Sequence, residues 1–160
     1  MVGSGGAGKT TIASRLVTGV FVETMMTVGV NIETWSIMNE DTGGTVKAAV
    51  FDLGGQKQFR FFQASLLCGT EAVLIVVDMT RMQSFIEIDQ WIPLILHVPK
   101  DRWILVGNKA DQKCVVLEED IRTKADSLAI PYVLVSAKTG DGFDVLSRKL
   151  ANIVLVIADT

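Results

Sequence analysis

The run Gly3-Ser4-Gly5-Gly6-Ala7-Gly8-Lys9-Thr10 sets two glycines around a serine, two more glycines and an alanine, then a lysine and a hydroxyl. That is the spacing of a loop that wraps phosphate. Without side chains in the way, successive backbone N–H groups turn inward and cradle phosphate oxygens. Lys9 would supply a compact positive charge to the β- and γ-phosphates, and the Thr10 hydroxyl a hard oxygen for Mg²⁺. The competing reading is a glycine-rich loop without function. The helical pattern that begins at Thr11 argues against it, because the motif has to open a helix; Thr11 is counted with the loop as a nucleotide contact.

Two further groups stand where such a loop needs them. Val50-Phe51-Asp52-Leu53-Gly54-Gly55-Gln56 ends an apolar run in a carboxylate that could share the magnesium,. The glycines after it permit close backbone approach to a terminal phosphate. Asn108-Lys109-Ala110-Asp111 follows the apolar run Trp103–Val106, and Ser136-Ala137-Lys138 follows Tyr132–Val135. A carboxylate at Asp111 can accept from both the N1–H and the exocyclic amine of guanine, a donor pair that adenine lacks.

These residues need a frame, and the sequence supplies one. Ala72–Val77, Trp103–Val106 and Tyr132–Val135 read as short buried strands, with helical patterns between them,. Ser84 is expected to cap a helix from Phe85 to Leu96, Leu117–Leu128 to form a second, and the segment after Gly142 a third. Val28–Ile37 and Thr45–Leu53 flank a turn-rich Asn39–Gly44 and predict an antiparallel hairpin. Alternating strands and helices give an α/β chain with a parallel sheet and helices on both faces.

With these motifs in order, the chain resembles a small GTPase of the Ras superfamily over nearly its whole length. Asp52-Leu53-Gly54-Gly55-Gln56 and Thr27–Thr34 are similar to the Arf and G-alpha branch; Ras and Rab proteins carry alanine at the first of these glycines. The resemblance implies a P-loop NTPase fold: one G domain over residues 1–160, with a mostly parallel six-stranded sheet and one antiparallel edge strand. It implies GTP and GDP as ligands, Mg²⁺ held by Thr10, Thr27 and Asp52, and catalysis by Lys9 with Gln56 orienting the attacking water. Gly55 would donate its amide to the γ-phosphate, Asn108, Lys109, Asp111, Ser136, Ala137 and Lys138 would form the base pocket, and Phe21 would stack on guanine. Effectors, an exchange factor and an activating protein are the implied partners. In this family a strand precedes the phosphate loop, and only Met1 and Val2 stand there, so a chain starting inside a longer protein is expected, in preference to Ile153–Ala158 filling the place as a strand.

Composition sets the outer bounds. The chain has 160 residues, enough for a single domain with a core of its own,. A net charge of −3 argues against a nucleic-acid binder, which would need a basic excess,. Cys68 and Cys114 are isolated and fit a reducing, cytoplasmic setting,. No lipid signal is read at either end, which leaves membrane association open, and a monomer is expected. Two other functions compete: an interaction module that binds GTP with negligible hydrolysis, against which Gln56 speaks, and an ATP-dependent phosphotransferase, against which Asp111 speaks. Gly19–Val28 contains no arginine, and Arg15 and Arg60 are displaced, so intrinsic hydrolysis is expected to be slow and to need an arginine from an activator. Gly5 leaves room for such a side chain.

Overall fold

The structure, a computed structural model, describes residues 1–54, 65 and 67–160. Gly55, Gln56 and Arg60 lie outside the described residues, as does the segment from Phe59 to Phe62. Helix α1 spans Lys9–Thr18 and ends at Gly19, whose φ of 78° is the left-handed value that stops a helix,. Strands β1 (Val30–Met38) and β2 (Thr45–Leu53) form the expected antiparallel hairpin, with Val30 opposite Leu53 and Met38 opposite Thr45. The Asn39 side chain closes the turn by accepting from the backbone of Asp41 at 3.0 Å and Thr42 at 3.3 Å,.

Strands β3 (Val73–Asp78), β4 (Trp103–Asn108) and β5 (Tyr132–Leu134) run parallel in that spatial order. All six residues of β3 and of β4 are buried, as expected for a sheet covered on both sides. Alternation along β3 sorts the core into two layers. Val73, Ile75 and Val77 face Ile88, Trp91, Ile95, Ile121 and Ala125. Leu74 and Val76 face Ile12, Leu16, Leu146 and Leu150. Helices therefore cover both faces, α1 and α5 (Phe143–Ala158) on one, α3 (Ile88–Ile95) and α4 (Glu118–Leu128) on the other.

Met1 and Val2 lie between the hairpin and the parallel sheet. Val2 donates to Leu74 O at 3.0 Å and accepts from Val76 N at 2.8 Å, while the Met1 amine donates to Phe51 O at 2.6 Å. Ile153–Ala158 is helical, part of α5, and does not enter the sheet. The helix expected from Phe85 to Leu96 is instead two: α2 (Met82–Ile86) and α3, with Glu87 between them. Ser84 does not cap it. Its hydroxyl is turned inward, accepting from Asp78 N at 2.9 Å and bonded to Ser4 Oγ at 2.7 Å. At the start of α4, Asp120 accepts from Leu117 N at 2.8 Å, so the acidic run caps its own helix,.

Candidate nucleotide site

The phosphate loop, residues 3–8, leaves the parallel sheet through Val2 and feeds directly into α1, where Gly8 sits at the N-cap. Gly8 has a φ of 93°, and a Cβ on it would collide with the Asn108 side chain. Gly3 would collide with the Val76 carbonyl in the same way. These positions demand glycine for close approach, not flexibility. The loop and the segment Thr24–Thr27 enclose a cavity of about 250 Å³, with Asp52 and Lys109 in its wall.

At the inner end of that cavity three oxygens converge. Thr27 Oγ1 lies 2.7 Å from Thr10 Oγ1 and 3.0 Å from Asp52 Oδ2, and Thr10 also donates to Asp52 Oδ2. Asp52 is 1% exposed, and its other oxygen, Oδ1, is buried with no hydrogen-bond partner among the described residues. An orphaned carboxylate oxygen beside two hydroxyls is the donor set a hard divalent cation takes. Thr10, Thr27 and Asp52 therefore fit Mg²⁺.

Lys9 is buried, its Nζ donating to Gly3 O and Ser4 O at 3.0 Å each. Burial pushes its ammonium down to about 8; Asp52 opposes that shift and the Arg81 cation adds to it. Arriving phosphate charge favours the protonated form.

The residues expected to meet the base are brought together by β4 and the segment after β5. Ser136 Oγ donates to Asp111 Oδ1 at 2.7 Å, Ala137 N donates to Asn108 Oδ1 at 3.1 Å, and Asn108 Nδ2 donates to Ala7 O at 2.9 Å. Asn108 is thus the pin between the base loop and the phosphate loop. Lys109, with a φ of 65°, reaches Gly6 O at 2.8 Å and Asp78 Oδ2 at 2.7 Å. Lys138 is exposed, and Phe21 is exposed as well. His97 lies away from the site, its Nε2 2.9 Å from Leu67 O.

The structure brings loop residues, Thr27, Asp52 and Lys109 to one cavity. It links Asn108, Asp111, Ser136 and Ala137 by hydrogen bonds beside the loop, without bringing in Lys138. Sequence reasoning misses the roles of Asp78, Arg81, Thr24 and Ser84. Thr24 pairs with Thr11, their hydroxyls 3.0 Å apart. Asp78 is visible in the sequence only as the polar residue that stops a strand, and Arg81 as a cation three positions beyond it.

Gly54 answers to its surroundings. Its N–H donates to Gly29 O at 2.8 Å, and a Cβ there would come within 2.8 Å of Thr27 O and 3.0 Å of Gly29 O. Gly54→Ala is expected to push the Thr27–Gly29 backbone outward and cost about 1–3 kcal/mol, the usual range for overpacking. Urea denaturation of the nucleotide-free chain measures it. Wild-type stability would mean that the segment yields freely.

The model of the Ras family matches residues 1–155. Ras-related protein RabC of Dictyostelium discoideum is 33% identical over 160 residues, covering 94% of this chain and 81% of that protein. GTP-binding protein YPTM2 of Zea mays is 32% identical over 143 residues, 86% of this chain and 70% of its own. Ras-related protein RABD1 of Arabidopsis thaliana is 32% identical over 143 residues, with 86% and 69% covered. These relatives are of Rab type, which corrects the lean toward Arf and G-alpha. That lean rested on Gly54 and the segment from Thr27, and the contact between these two segments explains the glycine without recourse to lineage. By this match, and with a phosphate loop and the Thr10–Thr27–Asp52 cluster in one cavity, the chain belongs to the Ras family of small GTPases.

Proposed function

We propose that this single G domain is a Mg²⁺-dependent switch that binds GTP, hydrolyses it to GDP, and reports the γ-phosphate through the segment around Thr27. The observation that carries the reading is the meeting of Thr10, Thr27 and Asp52 in a glycine-walled cavity whose wall includes Lys109, two residues before Asp111. Thr27 comes from the segment between α1 and β1, Thr10 from the first turn of α1, and Asp52 from β2. A ligand that draws these three together orders the segment, and its loss releases it. Bound magnesium supplies Lewis-acid stabilisation of charge on the phosphates. Lys9 adds its ammonium on the same side, and the amides of the loop bind the phosphate oxygens in place of water. Gln56 is proposed to orient the attacking water.

The exposed apolar residues Met25, Met26, Val28 and Ile32 flank Thr27. They suit partners that distinguish the two nucleotide states, since their placement follows that of Thr27; an effector, an exchange factor and an activating protein are proposed on this ground. A cytoplasmic setting is proposed from the free thiols of Cys68 and Cys114. Among the described residues no helix is long and apolar enough to cross a membrane.

Nucleotide competition and single-turnover hydrolysis test the reading. GTP and GDP are expected to displace a fluorescent GDP analogue where ATP does not. Hydrolysis of bound GTP is expected to be slow, roughly 10⁻⁴–10⁻³ s⁻¹, the range for this class without a guanidinium at the transferring phosphate. Tight GTP binding with no turnover would favour the interaction module, and equal ATP binding would favour the phosphotransferase.

A further inference from the structure

Every carbonyl of the phosphate loop is held. Gly3 O and Ser4 O accept from Lys9, Gly6 O from Lys109 Nζ at 2.8 Å, Ala7 O from Asn108 Nδ2 at 2.9 Å, and Gly8 O from Ile12 N at 2.9 Å. The remaining carbonyl, Gly5 O, accepts from Arg81 Nη2 at 2.7 Å. Arg81 belongs to none of the nucleotide motifs. It stands three residues past the end of β3, with its Nε donating at 3.0 Å to Asp78 Oδ2. Asp78 is 1% exposed and is itself fixed, with Oδ1 accepting from Thr80 N at 2.9 Å and Thr80 Oγ1 at 2.6 Å. The same Oδ2 receives Lys109, so one buried carboxylate braces two cations that grip neighbouring carbonyls.

We propose that Arg81 is a positioning residue of the phosphate site: braced on Asp78, its guanidinium holds the Gly5 carbonyl outward and so turns the Gly6 amide inward, toward the phosphates of a bound nucleotide.

The peptide between Gly5 and Gly6 is the one in this loop with no side chain on either flank, and therefore the one with the most freedom to turn over. Because the peptide is planar and trans, its C=O and N–H point opposite ways, and fixing one fixes the other. Among the described residues the Gly6 amide has no acceptor, which leaves it available to a ligand. Arginine suits the task because its rigid fork spans two acceptors at once, the Asp78 carboxylate and the Gly5 carbonyl, whereas lysine offers a single point charge. Arg81 is 47% exposed on its side chain, so it holds the loop from outside and leaves the cavity clear. This inference rests on the reading of the loop as a nucleotide phosphate site.

The test compares the wild-type chain with Arg81→Ala and Arg81→Lys, each loaded with magnesium and GDP. Release of a fluorescent GDP analogue and the ³¹P resonances of bound GDP are measured. Arg81→Ala is expected to release the analogue about three- to tenfold faster, the scale of one ordinary net hydrogen bond, because the guanidinium acts on the nucleotide only through the loop. Its bound-phosphate resonances are expected to move, and Arg81→Lys to recover only part of either change. Unchanged release and resonances in Arg81→Ala, or full recovery by lysine, would overturn the bracing. Should Arg81→Ala also lower the thermal stability of the nucleotide-free chain, the ³¹P spectrum of Arg81→Lys decides: wild-type resonances overturn the proposal and shifted ones support it. A wild-type chain that binds no GDP would instead remove the phosphate-site reading, a separate failure from that of Arg81.

Discussion

Asp111→Asn is expected to weaken GTP and GDP binding by roughly 10²–10⁴-fold, because two hydrogen bonds to a charged group are worth about 1.5–3 kcal/mol each. The carboxylate is oriented for this work. Ser136, fully buried, donates to Oδ1 at 2.7 Å and itself accepts from Thr139 N at 3.0 Å. Asp111 thus keeps its rotamer before any base arrives, and little ordering entropy opposes binding. An amide in its place presents a donor toward the guanine edge and clashes with the N1–H or the amine. Xanthine carries a carbonyl where guanine carries the amine, so xanthosine diphosphate should bind the variant better than it binds the wild-type chain. Competition titrations with GTP, GDP and xanthosine diphosphate check both arms. Unaltered preference would take Asp111 out of the base pocket, leaving the phosphate end untouched.

What the sequence made legible was local. The phosphate loop is readable because its glycines, Lys9 and Thr10 fall at fixed spacing within one short segment that opens a helix, and the hairpin because Asn39–Gly44 closes on itself. The base pocket is readable because Asn108 and Ser136 each follow an apolar run that could only be a buried strand. What was not legible depends on contacts between distant positions. Arg81 and Gly5 are 76 residues apart, and nothing in either neighbourhood announces the other. Ser84 resembled a cap because Glu87 follows it at the right interval, but its hydroxyl is bound by Ser4, 80 residues away, and by the backbone of Asp78 at the end of β3. Gly54 resembled a branch marker, whereas the Thr27 and Gly29 carbonyls leave no room for a methyl group. No arginine lies in Gly19–Val28, and Arg15 stands over the Phe143 ring. Among the described residues the guanidinium that reaches the loop is that of Arg81, and it is spent on the Gly5 carbonyl, so the expectation of slow turnover is unaltered.

Asp52→Asn is expected to reverse sign with the metal, which makes it the sharpest test of the inner site. With magnesium present, the buried carboxylate faces a divalent cation, and loss of its charge should weaken GDP retention by roughly 10–100-fold, on the scale of a charged contact. In chelator the same carboxylate faces only phosphate, a like charge that repels it. There the amide should bind nucleotide as well as the wild-type chain or better. The substitution is nearly isosteric, and the hydroxyls of Thr10 and Thr27 can each rotate to meet an amide oxygen, so the nucleotide-free fold should hold. Replacing Thr10 instead removes a neutral ligand and should weaken magnesium-bound nucleotide without the gain in chelator. Release of fluorescent GDP, measured across a magnesium titration for the three chains, draws these curves. Parallel loss for Asp52→Asn with and without metal would mean that its carboxylate serves only to tie the two threonines together, and the cation would have to be held elsewhere.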